Sequence, residues 1–230
     1  METIILAGGF GTRLQSKVPN IPKPMAIIND RPFLDYLLSY LMRNQISRII
    51  FSLFYKNEII KNYYSNRYNS LDIAYSVDKK ALGTGGAIRN ALSFALNENA
   101  FVINGDTYFN IDLKMLFEEH LSKKNDITIS LKKMKNFDRY GIVTTNNNGD
   151  VLSIKEKQYC KNGVIDGGIY LIKKNLFDSF EVKDSFAFSD FIMQNIDDLK
   201  VGSVNFDDDF IDIGTPDDYD KAKNTMADYL

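Results

Sequence analysis

The chain of 230 residues has one cysteine, one histidine, five prolines and no long apolar run. A single thiol, Cys160, cannot form an internal disulfide, which fits a reducing compartment and an inert cysteine. No stretch approaches the ~20 apolar residues of a membrane span, and the apolar amino-terminal segment is too short for a secretory signal. A cytoplasmic protein with no membrane partner is expected. Charge of either sign is not in excess: 28 Lys and Arg stand against 30 Asp and Glu, so a nucleic-acid surface is not expected. No Pro/Gly/Ser-rich linker and no internal repeat divides the chain. The run Asn146-Asn147-Asn148 followed by Gly149-Asp150 reads as a hairpin turn. With 44% hydrophobic residues, this length predicts one domain with a sizeable core.

Acidic residues are missing from Thr3 to Asn29, where Arg13, Lys17 and Lys23 are the only charges. Within this stretch Thr3-Ile4-Ile5-Leu6-Ala7 predicts a buried parallel strand, and Gly8, Gly9 and Gly11 follow it. Glycines let the loop adopt positive φ, turn its N–H groups toward one point and admit an anion closely. With local positive charge, the expected ligand is a polyanion such as a triphosphate. The spacing is neither a dinucleotide fingerprint, which needs glycine at Leu14, nor a P-loop, which needs Gly-Lys-Ser/Thr. Pro19, Pro22 and Pro24 restrict the segment beyond, so Lys23 is predicted to be extended with its amine aimed.

Apolar periodicity then predicts a helix over 32–45, a strand over 48–54, a helix over 57–64, a strand over 71–77, a helix over 85–96 and a strand over 100–104. Such alternation implies a mostly parallel sheet covered by helices, with ligands at the carboxyl ends of its strands. Strands are predicted over 126–134, 141–144, 151–155 and 164–172, as an antiparallel extension forming the other wall of a cleft. Helices are predicted around 188–196 and over 216–229, the last with Thr215 as N-cap, Pro216 at the first helical position, and Asp217 and Asp218 in the first turn. His120, after Glu118 and Glu119 on a predicted helix, is expected at the surface without a catalytic role.

Asn104-Gly105-Asp106 directly follows a predicted strand, which delivers Asp106 to the same edge as the glycine-rich loop. A carboxylate beside a triphosphate suits a divalent metal, since Mg²⁺ is typically held by one or two carboxylates plus phosphate oxygens. Asp212, where a short strand meets the last helix, is the expected second ligand, and Asp207-Asp208-Asp209 reads as a solvated turn.

Together LAGGFGTRL (6–14), PKP (22–24), LGTGGAI (82–88), NGD (104–106) and DIGTPDDY (212–219) resemble the sugar-1-phosphate nucleotidyltransferases, or nucleotide-sugar pyrophosphorylases, over nearly the whole chain. The resemblance implies a Rossmann-like three-layer α/β/α fold with a mixed, mostly parallel sheet and a small antiparallel extension over the cleft. Its nucleotide-binding part spans about 1–110, its sugar-binding part about 111–215, and a helix over 216–229 completes it. The implied reaction is attack of a sugar 1-phosphate on the α-phosphate of a nucleoside triphosphate, with Mg²⁺ on Asp106 and Asp212. Arg13 and Lys23 would face the phosphates, and Lys157 the sugar phosphate; Gln158 follows it where many relatives have proline. Leu6, Ala7, Gly8, Gly9, Gly11, Thr12, Gly83 and Thr84 would surround the nucleotide, and Gly141, Glu156 and Asp166 the sugar hydroxyls.

Asp78 stands where uridylyl- and thymidylyl-transferring relatives often carry Gln. A carboxylate only accepts hydrogen bonds, so it suits guanine, which offers N1–H and an amine side by side, rather than adenine. VPNIPKPMA, RPFLDYLL, LGTGGAIRNAL and NGDTYFNIDL most resemble the D-glycero-D-manno-heptose 1-phosphate guanylyltransferases, which make GDP-heptose for bacterial surface polysaccharides. The expected partners are GTP and a heptose 1-phosphate, and a homodimer stays open. Alternatives are a guanylyl- or uridylyltransferase for mannose or N-acetylmuramic acid 1-phosphate, and an inactive nucleotide-sugar sensor.

Overall fold

In the computed structural model, which describes residues 1–155, 157–226 and 229, strand and helix alternate as far as Asn104. Strand β1 (Glu2–Leu6) runs into 3₁₀ turns at Thr12–Leu14 and Lys23–Met25, then the small pair β2 (Ile27–Ile28) and β3 (Arg31–Pro32). Next come α1 (Phe33–Arg43), β4 (Arg48–Leu53), α2 (Asn57–Tyr64), β5 (Arg67–Tyr68), β6 (Leu71–Val77), α3 (Gly83–Leu92) and β7 (Asn99–Asn104). The second half holds β8 (Thr107–Phe109), α4 (Leu113–Lys123), β9 (Ile127–Phe137), β10 (Ile142–Thr145), β11 (Val151–Lys155) and β12 (Cys160–Lys173). It closes with α5 (Phe188–Gln194), β13 (Val201–Phe206), β14 (Phe210–Asp212) and α6 (Pro216–Thr225).

The periodicity explains α1 directly: Phe33, Leu34, Leu37, Leu38 and Leu41 are all fully buried, each contributing about 1.5–3 kcal/mol of apolar transfer. α6 starts as its sequence dictates. Thr215 Oγ1 accepts from the Asp218 N–H, Pro216 occupies the first turn, and Asp217 and Asp218 meet the positive helix end. This helix ends at Thr225, short of the predicted Tyr229; Ala227 and Asp228 lie outside the described residues.

β1 lies between β4 and β7, all parallel, with β6 beyond β4. β12 joins this sheet antiparallel to β7, and β9 and β10 pair with β12. The predicted antiparallel extension is thus continuous with the parallel half in one ten-stranded sheet. Successive residues of the central strands face opposite sides: Ile5, Phe51 and Phe101 join α1, α2 and α6 in one core, while Ile4, Ile50 and Val102 join α3 and α5 in another. That alternation produces the three layers.

Two expectations need correction. His120 is only 1% exposed, not at the surface. It shares the inner face of α4 with Leu113 and Leu116, at i, i+3 and i+7, and its ring nitrogens meet Thr128 Oγ1 (2.9 Å) and Asn99 Oδ1 (3.1 Å). Lys23 is not extended, because it opens the 3₁₀ turn Lys23–Met25, and Pro22 before it carries the extended conformation (φ −61°, ψ 141°).

Candidate active site

The carboxyl ends of β1, β4, β6 and β7 open into a cleft of about 750 Å³ that reaches across to β12. On the β1 side Leu6, Ala7, Gly8, Gly9, Gly11 and Thr12 line it, followed by Arg13 and Lys23. Of the three loop glycines, Gly11 has the left-handed backbone (φ 61°) that favours a residue without a side chain. Nothing lies within 4 Å of where a Gly9 Cβ would sit, so a ligand can come close to the backbone there. Arg13 is exposed and, among the described residues, makes no ion pair.

Asp106 and Asp212 come together through the short antiparallel pair of β8 and β14. Thr107 is opposite Asp212, and the Ile213 N–H donates to the Asp106 carbonyl at 3.1 Å. Both carboxylates converge on one cation, with Lys23 Nζ 2.6 Å from Asp106 Oδ2 and 3.8 Å from Asp212 Oδ1. Tyr140 Oη donates to the other Asp212 oxygen at 3.0 Å. Burial, and then the neighbouring Asp106 charge, push the Asp212 carboxyl above its ordinary range, against the Lys23 ammonium and the Tyr140 hydroxyl. Two acids held this close with limited solvation favour a cation between them. Among the described residues no cluster of three or more acidic, His or Cys side chains is placed to enclose a metal. The carboxylate pair therefore fits an ion that takes its remaining ligands from substrate.

On the opposite wall the β9–β12 register shifts between Asp166 and Tyr170, and Gly168 there has φ 75°. This bulge turns Asp166 into the cleft, where it accepts from the Gly168 N–H at 2.8 Å and from the Tyr170 hydroxyl. Burial raises its pKa, with both donors opposing. Gly141 and the exposed Lys157 line the same wall, and Lys157 makes no ion pair among the described residues. The predicted sugar contact Glu156 lies outside the described residues. Arg139 and Tyr140, which no motif singles out, also line the cleft, Tyr140 directly before Gly141. Arg139 forks onto Asp218, with Nη2 to Oδ1 at 3.0 Å, tying this wall to α6.

Asp78, just past β6, is 8% exposed and lines the end of the cleft beside Leu82, Gly83 and Thr84. Its Oδ1 accepts from Asn90 Nδ2 at 2.6 Å, and burial raises its pKa against that hydrogen bond. The glycines of LGTGGAI have a packing cause: the segment Asp184–Phe188 lies against the start of α3. A Cβ on Gly86 would stand 2.4 Å from the Asp184 carbonyl oxygen, and one on Gly85 2.1 Å from the Phe186 ring. The predicted nucleotide contact Thr84 uses its hydroxyl to accept from the Phe188 N–H at 2.9 Å.

A second cavity, of about 820 Å³, lies at the other end of the sheet, where β7 begins and β12 ends. The carboxyl ends of α3 and α4 face it beside Arg89, Lys124, Lys173 and Lys174, and no glycine is among its lining residues. The glycine-rich loop, the carboxylate pair bridged by Lys23, and Arg13, Arg139 and Lys157 line the first cleft.

Among the described residues no helix is long and apolar enough to cross a membrane. The D-glycero-alpha-D-manno-heptose 1-phosphate guanylyltransferase of Campylobacter jejuni is 46% identical over 219 residues, covering 95% of this chain and 97% of its own. Its namesake from Aneurinibacillus thermoaerophilus is 45% identical over 231 residues, covering 100% of both chains. HddC from Yersinia pseudotuberculosis superposes with a TM-score of 0.88 at 37% identity, over 98% of this chain and 99% of that one. HddC has also been solved in complex with GMP-PN. The nucleotidyl transferase family matches residues 2–229, and the fold and class expected from the motifs are borne out. The chain belongs to the nucleotidyl transferase family.

Proposed function

We propose that the chain is a cytoplasmic guanylyltransferase that condenses GTP with D-glycero-D-manno-heptose 1-phosphate, giving GDP-heptose and pyrophosphate for surface polysaccharide synthesis. The observation that carries this reading is the cleft itself. It brings the glycine-rich loop, Arg13, Lys23 and Lys157 around the Asp106–Asp212 pair, with a buried carboxylate, Asp78, at its nucleotide end. The two relatives of nearly equal length that carry the heptose guanylyltransferase name support the choice of substrates.

In the reaction an oxygen of the sugar phosphate forms a bond to the α-phosphorus of GTP. The bond from that phosphorus to the bridging oxygen breaks, and its electron pair leaves with pyrophosphate. The attacking oxygen is already anionic, so no general base is needed, and catalysis rests on charge control and alignment. Arg13 and the N–H groups of residues 8–12 face the charge that grows on pyrophosphate, while Lys157 holds the sugar phosphate. Mg²⁺ held by Asp106 and Asp212 would neutralise phosphate charge and align the two substrates. Asp166, Glu156 and the Gly141 backbone serve the sugar hydroxyls, and Asp78, Gly83 and Thr84 the nucleoside.

Incubation with GTP, Mg²⁺ and each of heptose, mannose, glucose and N-acetylmuramic acid 1-phosphates tests the sugar. GDP-heptose, identified by mass, with one pyrophosphate per product is expected. Turnover only with another of these sugars would replace the heptose assignment, and no pyrophosphate with any would favour a sensor.

A further inference from the structure

We infer that Asn90 is a positioning residue for guanine recognition, acting by holding the carboxylate of Asp78 in the orientation that meets the base; this rests on the guanylyl reading proposed above. The Asp78 main chain is fixed, since its N–H donates to the Leu53 carbonyl at 2.8 Å. Its side chain is buried, yet its one hydrogen-bond partner among the described residues is the Asn90 amide at 2.6 Å. The neighbouring cations do not serve it: Lys79 and Lys80 are exposed, and Lys80 pairs with Asp184 at 2.7 Å. A carboxylate offers about four acceptor positions, so this one keeps most of its capacity for a ligand. Asp78 lines the cleft and its second oxygen is not among the buried unpartnered atoms, so that oxygen is open to a partner that brings donors. Guanine supplies two, N1–H and the 2-amino group.

Asn90 does not line the cleft; it sits on α3 beyond Ala87, which does, so it reaches a nucleotide only through Asp78. A neutral amide is the right chemistry for this task. Lys or Arg at position 90 would neutralise the carboxylate and weaken its acceptance of base protons. An apolar residue would leave the carboxylate free to rotate, with the cost of its burial uncompensated. The amide holds Oδ1 and leaves Oδ2 without a protein partner among the described residues, on a residue that lines the cleft.

The test compares kcat/KM for GTP and for ITP, whose base lacks the 2-amino group, in wild type, Asn90→Ala, Asn90→Leu and Asp78→Asn. Wild type is expected to prefer GTP by at least about tenfold, and each variant by less than about threefold. In the Asn90 variants the loss should appear as a higher KM for GTP, with kcat and the KM for sugar phosphate within about twofold of wild type. Asn90→Leu keeps the branched shape of the side chain and favours the helix more than Asn does, should Asn90→Ala not fold. A wild-type GTP:ITP ratio in a folded Asn90 variant, while Asp78→Asn has lost it, overturns the role of Asn90 alone. An unchanged ratio in Asp78→Asn, or no discrimination by wild type, overturns the base reading and this inference with it.

Discussion

Lys23 is the residue on which the site's charges meet, a half-buried ammonium between two carboxylates that would otherwise repel one another. Arg13 and Lys157 differ from it in having no ion pair among the described residues, so their charges are free for phosphate. Arg13→Ala and Lys157→Ala should therefore fold and melt as wild type does, because neither exposed side chain supports the core. Each should lose about 100-fold in turnover, the effect of about 3 kcal/mol in the transition state. Steady-state rates beside a circular-dichroism melt check this, and near-normal turnover would remove the residue from catalysis. At this scale much of the site could be read from the chain. Asp106 stands out because it closely follows a strand, and Asp212 because it precedes a strongly signalled helix. Tyr140 and Arg139 were hidden because their partners, Asp212 and Asp218, lie 72 and 79 residues away, and no local pattern announces such a contact.

Among the elements, α4 shows what an inward-facing polar side chain does to stability. Burial, and then the Lys173 charge, lower the His120 pKa from 6.5 to about 4, so the ring is neutral in the fold. Between those values the unfolded chain binds the proton and the folded chain does not. The stabilisation is complete above pH 6.5, falls as pH drops through the window and is lost near pH 4, an effect on the order of 3 kcal/mol. Denaturation of wild type and His120→Gln across this window should show wild type losing more stability on acidification, and parallel curves would contradict a buried neutral histidine. Asp78, Asp166 and Asp212, whose pKa values are raised, act with the opposite sign and Asp218, whose pKa is lowered, with the same sign in both proteins, so the difference reports His120 together with its coupling to Asp126. Elements with a strong local pattern, such as α1, α2 and β6, were legible. β13 was not: Val201–Phe206 is short and mixed, and it is placed by parallel pairing with β9 far earlier in the chain. The glycines of α3 were visible but their cause was not, since Phe186 and Asp184 press on them from a hundred residues away.

For the molecule as a whole, one sheet carries both walls of the cleft. β1, β4, β6 and β7 present the loop, Asp78 and Asp106, while β12, antiparallel to β7, carries Asp166 to the other side. β14 and α6 then return Asp212 to Asp106 and lock Arg139 onto Asp218. The two substrates thus meet on a continuous scaffold, and relatives of nearly equal length place this architecture among heptose 1-phosphate guanylyltransferases. The most direct measurement is pyrophosphate release with heptose 1-phosphate and Mg²⁺ for GTP, ATP, UTP and CTP, each compared by kcat/KM. The account predicts that GTP exceeds every other nucleotide by at least about 100-fold, because the proposed pairing of the Asp78 carboxylate with guanine would leave other bases with unmatched groups. UTP equal to or better than GTP would contradict it.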